Sequence, residues 1–224
     1  MELARRELSA DQLGSSHLFG VLIAFTRADA AACTRHALVI LDAASKVGPV
    51  YAAMGYFGLG CAHLAGGNAG EAVTALERAR EILYRDRSGL MVEALTLDRL
   101  AEAYLAASDT ARARAAVDDA IAVAEKRGTV GWGYRGPVTL ARVLVASSGA
   151  AARPAAEAAL TMAQAQVDQS GERVHQPFIH LARAELAAAL GDAAGRQREL
   201  REAHLLFTEM GVPLRAELVA AELA

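Results

Sequence analysis

From residue 50 onward the apolar positions recur every three or four residues, the period of a helix face rather than the alternation of a strand. Ala72, Leu76 and Ala79 form one such stripe, and Glu77, Arg78, Arg80 and Glu81 occupy the opposite side. Ala113, Val117 and Ala120 repeat it, with Asp118, Asp119, Glu125 and Lys126 on the polar side. Each equivalent pair is 41 residues apart, as 113 − 72 shows, and the register extends backwards. Leu59-Gly60-Cys61-Ala62-His63 and the turn Gly67-Asn68 precede the first stripe; Leu100-Ala101-Glu102-Ala103-Tyr104 and Ser108-Asp109 precede the second. A third copy runs through Leu140–Leu144, Ser147-Ser148-Gly149 and Ala156, Leu160, Ala163, its turn lengthened by about three residues that include AARP. A fourth runs through Arg183–Ala187, Gly191-Asp192 and Arg196, Leu200, Ala203. A degenerate first copy spans Gln12–Ser45, where Ala37-x-x-Ile40-Leu41 matches Ala79-x-x-Ile82-Leu83.

Each copy reads as two helices joined by a small-polar turn, with Asn68, Asp109 or Asp192 placed to cap the second. Such a hairpin cannot bury its stripe alone and must stack on its neighbours. The pattern therefore predicts one all-α domain over 1–224. Its hairpins fall roughly at 10–45, 50–86, 90–127, 136–169 and 176–209, followed by a capping helix over 213–223 that begins at Pro213.

These residues resemble a tetratricopeptide repeat (TPR), whose pattern is a small residue in the first helix, an aromatic three on, a Gly-Asp-like turn, then Ala, a large apolar residue and Ala. The second copy follows it with Ala101, Tyr104, Ser108-Asp109, Ala113, Val117 and Ala120. His63, Leu144 and Ala187 stand in the aromatic position of the other copies, and Arg196 replaces an Ala. The spacing also exceeds the usual TPR length. The resemblance implies a right-handed α-solenoid of about five hairpins plus the terminal helix. The closing stretch LARAELAAALGDAAGRQRELREAHLLFTEMGVPLRAELVAAELA is similar to the last repeats of large bacterial signalling proteins that carry a cyclase or regulatory ATPase domain. That likeness implies a regulatory module of such a protein.

Composition narrows the class further. Hydrophobic residues make up 54% of the chain but aromatics only 5%, so Ala and Leu dominate, as in a helical protein. A net charge of −3 with interspersed signs offers no basic face for nucleic acid. Cys33 and Cys61 have neither C-x-x-C spacing nor a framework, which fits a reducing cytoplasm. The N-terminus, MELARRELSADQ, lacks the basic-then-apolar order of a secretory signal. Val47–Gly70 is free of charge, but Pro49 and the turn Gly66-Gly67-Asn68 cut its helical part to about 15 residues, short of a bilayer span.

Candidate chemistry is sparse. Gly58-Leu59-Gly60 lacks both the third glycine and the preceding strand of a dinucleotide loop, so Gly55, Gly58 and Gly60 read as close-packing positions. The six histidines form no helical zinc pair, and Ser15-Ser16 and Ser147-Ser148 lack a nucleophile elbow. The expectation is a non-enzymatic chain with no cofactor and no metal. Solenoid repeats present their first helices along a groove. By register Met54, Phe57, Asp98, Glu102, Arg135, Arg142, Phe178 and Glu185 are the candidates to meet a protein or peptide, alongside Cys61, Leu105, Val138 and Leu181. The same positions serve equally well for packing between helices, and Phe57 is open to either role. Trp132, in GWGYRGP, is a candidate interface anchor or a cover for the repeat junction. A small-molecule-sensing domain attached to a cyclase, ATPase or transcription-factor domain is the alternative function. A solenoid end is a candidate homodimer contact.

Overall fold

The computed structural model describes residues 2–86, 92–128 and 135–224, with side chains from residue 12 onward. The described residues fold as α-helices and short 3-10 turns, the all-α hairpin architecture that the periodicity predicts. They gather into two compact units, Met1–Ser108 and Asp109–Ala224, and the division falls in the turn of the 90–127 hairpin.

Unit 1 holds α1 (Glu2–Thr26), α2 (Ala30–Val47), α3 (Pro49–Ala65), α4 (Ala69–Asp86) and α5 (Glu93–Ala106). Consecutive helices pack on each other, and the first helices also meet: α1 touches α3, and α3 touches α5. Unit 2 holds α6 (Thr110–Arg127), α7 (Gly136–Ser148), α8 (Arg153–Ser170), α9 (Gln176–Ala189), α10 (Ala193–Glu209) and α11 (Pro213–Leu223). Here α7 packs on α6, α8 and α9, α9 on α8 and α10, and α11 on α10. The lengthened third turn is a 3-10 segment, Gly149–Ala152, that leads directly into α8.

Four of the five hairpin turns among the described residues share one device. Ala28, Gly67, Ser108 and Gly191 all take the left-handed conformation, with φ of 58°, 75°, 62° and 72°. Each is followed by Asp29, Asn68, Asp109 or Asp192. Three of these cap the next helix through a side-chain oxygen: Asp29 accepts from the Ala32 N–H at 2.8 Å, Asp109 from Arg112 at 2.9 Å and Asp192 from Gly195 at 2.8 Å. Asn68 starts α4 through its carbonyl, which accepts from the Ala72 N–H at 3.0 Å. The Asp29 cap also fixes the turn of the degenerate first copy at Ala28-Asp29. Two of the four left-handed sites carry a Cβ, which is disfavoured there. Ser108→Gly is expected to raise the unfolding free energy by about 0.5 kcal/mol, the relief of that conformation less the extra entropy of an unfolded glycine. Urea denaturation checks this.

The cores follow the stripes. In unit 2 Leu160, Ile179, Leu200, Phe207 and Val219 are buried together, and the Phe178 and Phe207 rings meet edge-to-face with centroids 5.3 Å apart. Arg196, the residue that breaks the family's alanine pattern, reaches from α10 to the end of α11. There it donates to the Glu222 carbonyl at 3.2 Å and to the Glu222 carboxylate at 2.9 Å. This places a cation at the negative end of the helix dipole.

Candidate functional site

The polar groups of the first helices sort into a sealed cluster in unit 1 and a half-open pair in unit 2. On α5 the sequence Asp98-Arg99-x-x-Glu102 lies in a helix that is otherwise apolar on nearly every side. Arg99 is 1% exposed and Asp98 is 0% exposed. Arg99 donates from Nη2 to Asp98 at 2.8 Å, and its Nη1 lies 2.6 Å from a Glu102 oxygen. The guanidinium also sits 5.0 Å from the centre of the Phe25 ring of α1. Burial alone would push the Arg99 guanidinium down, but the Asp98 and Glu102 carboxylates outweigh it and hold the group above its ordinary value. Nearby, Tyr104 donates from its hydroxyl to Glu77 of α4 at 2.6 Å.

The candidate partner-binding residues of unit 1 are therefore mostly interior. Phe57 is 0% exposed and lies in the packed helix interface. Met54 is half-buried against Ala53, Ile82, Leu83 and Val92. Asp98 and Glu102 are drawn to Arg99, which the groove register does not select. The signal that could have found Arg99 is a lone arginine between two carboxylates in a helix whose remaining positions are nearly all apolar.

Unit 2 is more open. Arg142 of α7 donates from Nε to both Glu185 oxygens of α9, at 2.9 and 3.0 Å, and these side chains are 36% and 41% exposed. The two residues belong to adjacent first helices, so the pair links copies 43 positions apart in sequence. Arg135, at the start of α7, is buried and stacks 3.8 Å from the centre of the Phe178 ring; Arg215 of α11 lies 5.3 Å from the same ring. The structure thus joins Arg142 with Glu185 and Arg135 with Phe178. Phe178 itself is only 8% exposed. Trp132 lies outside the described residues.

Histidines pair by geometry that spacing did not reveal. His17 of α1 and His36 of α2 approach Nδ1 to Nδ1 at 2.8 Å. One ring must donate and the other accept, so a second proton is unwelcome. Burial, and then the neighbouring His36, hold the His17 ring below its ordinary value. A group depressed in the folded state binds fewer protons there than when unfolded, so its contribution is complete above about pH 6.5 and is lost as the pH falls. Melting temperature is accordingly expected to fall between pH 7.5 and 5.5, and to fall less in His17→Gln. Equal slopes in the two proteins would remove His17 from the account. Among the described residues no three His, Cys, Asp or Glu side chains gather to hold a metal, and no helix is long and apolar enough to cross a membrane.

No protein-family model and no curated protein sequence matches the chain. Solved structures do match, among them the nearly identical TPR-like repeats of a kinesin light chain-like protein of Podosopora anserina and a single-substitution variant of it. The variant superposes with a TM-score of 0.53 at 18% identity, covering 94% of this chain and 99% of that one. The parent gives 0.52 at 18% identity, covering 93% and 95%. At that identity the likeness concerns the fold, a TPR-like helical repeat.

Proposed function

We propose that this chain is a non-catalytic protein-interaction module that receives a peptide or protein segment along the first helices of unit 2. The observation that carries this reading is the Arg142–Glu185 pair, with its two charges set on neighbouring first helices and each more than a third exposed. Such an exposed pair contributes little to stability, about 0–1 kcal/mol, and can exchange for a partner's charged side chains at small cost. The TPR-like fold supports the reading, because stacked hairpins offer long surfaces for extended or helical segments. The buried interior positions Phe57 and Asp98 give it no support.

Peptide display against the isolated chain provides the test. A selected peptide is expected to bind about tenfold more weakly to Arg142→Ala, or about 1.4 kcal/mol. The swap Arg142→Glu with Glu185→Arg keeps the pair, and with it the fold, but reverses its polarity. Unchanged affinity in both variants would remove this face from the function. The likeness of the closing repeats to bacterial signalling regulators supports a place within a cytoplasmic signalling polypeptide, with an attached output domain as the thing regulated. Light scattering addresses homodimerisation of the module.

A further inference from the structure

We propose that unit 2 also carries an anion site, separate from the first-helix face, that binds a singly charged carboxylate bearing an apolar group. The site is the cleft where the second helices α8 and α10 flank the C-terminal half of α9. Its volume is 490 Å³, within the range of about 300–1,000 Å³ usual for small-ligand pockets.

Its charges are unevenly committed. Of the three wall carboxylates, Glu157 accepts from Arg153 at 2.9 Å, Asp192 caps α10 by accepting from the Gly195 N–H at 2.8 Å, and Glu199 meets His180 Nδ1 at 2.7 Å. The two remaining arginines, Arg183 on α9 and Arg198 on α10, have no hydrogen-bond or ion-pair partner among the described residues. Two uncommitted guanidiniums lining one cleft offer paired N–H donors suited to a carboxylate. The three wall carboxylates oppose a doubly charged guest such as phosphate, so the second charge is a liability and a single charge is preferred. The apolar part of the lining then selects what carries the charge. Leu160 and Leu186 are buried, but Leu190 is 36% exposed and gains cover from an apolar neighbour.

Two sources present this chemistry, a free aliphatic acid and an acidic side chain flanked by leucines in a peptide. Titration calorimetry with sodium octanoate, with octanamide and with the capped tripeptide Ac-Leu-Glu-Leu-amide separates them. Octanoate or the tripeptide is expected to bind at one saturable site. The neutral amide is expected to bind at least tenfold more weakly, as is either carboxylate to Arg183→Gln/Arg198→Gln. The tighter of the two carboxylates identifies the source. The proposal is overturned if neither saturates, if octanamide matches octanoate, if inorganic phosphate binds more tightly, or if the double variant keeps wild-type affinity. Circular dichroism establishes that the variant is folded. Should the double variant fail to fold, Arg198→Ala, at an exposed position on α10, replaces it with the same expected loss. These outcomes are independent of the Arg142–Glu185 face, whose variants leave this cleft intact.

Discussion

Arg99→Met is expected to destabilise unit 1 by about 3–5 kcal/mol, the range measured when one member of a buried ion cluster is removed. The reasoning starts from solvent. Asp98 is 0% exposed and Glu102 nearly covered, with 13% of its side chain accessible, so neither carboxylate has water in place of the lost cation. Methionine fills most of the volume and keeps the contact with Phe25, which isolates the electrostatic loss from a cavity effect. At about 2–4 °C per kcal/mol for a chain of this size, the melting temperature should fall by roughly 6–20 °C. Glu102→Gln should cost less, because Arg99 keeps its pair with Asp98 and the amide oxygen can still accept from Arg99. Replacing Asp98, Arg99 and Glu102 together by Leu, Met and Leu should recover much of the loss, since no uncompensated charge then remains inside. A loss below about 1 kcal/mol in Arg99→Met would mean that the carboxylates are solvated or protonated at little cost, and the cluster would cease to be a stability element.

The Arg99 cluster also marks where sequence reading stops. Helices and turns were legible because their determinants are local: stripe spacing sets the face, and an Asp after a left-handed residue sets the cap. The cap at Asp109 and the length of the third turn both follow from a few neighbouring residues. The facing of individual side chains did not follow so readily. Within α5 nearly every position is buried, because the helix is enclosed by more than one neighbour, so a stripe has no exposed counterpart from which to count. Asp98 and Glu102 consequently read as groove positions although they serve Arg99. Arg142 and Glu185 are separate candidates along the chain, and their pairing depends on two helices that bring positions 43 residues apart together. The His17–His36 approach and the cleft at Arg183 and Arg198 are likewise products of packing and leave no spacing signature. Even Arg196, which departs from the repeat pattern, acquires its reason only when α11 is in place to receive it.

Gly58→Val is expected to cost about 3 kcal/mol, and Gly58→Ala about 1–2 kcal/mol, although both lengthen a side chain inside a helix where glycine is intrinsically poor. A Cβ at Gly58 would lie 2.8 Å from the Ala37 Cβ, 3.1 Å from Val21 Cγ2 and 3.3 Å from the Ala37 Cα. Val21 can rotate away; Ala37 cannot, since its Cβ is fixed to the backbone of α2. The α2–α3 contact must therefore open. Alanine offsets about 1 kcal/mol of the resulting strain through its better helix propensity, while valine adds two methyl groups and a restricted rotamer. Gly70, in the first turn of α4, supplies the contrast: a Cβ there meets nothing within 4 Å, so Gly70→Ala should stabilise by about 0.5–1 kcal/mol. The second-site change Ala37→Gly should rescue Gly58→Ala by returning the missing space, giving a favourable coupling of about 1 kcal/mol in a double-mutant cycle. Additive effects in that cycle would mean that Ala37 is not what a Cβ at Gly58 meets. The close approach of α2 to α3 would then need another cause than the glycine.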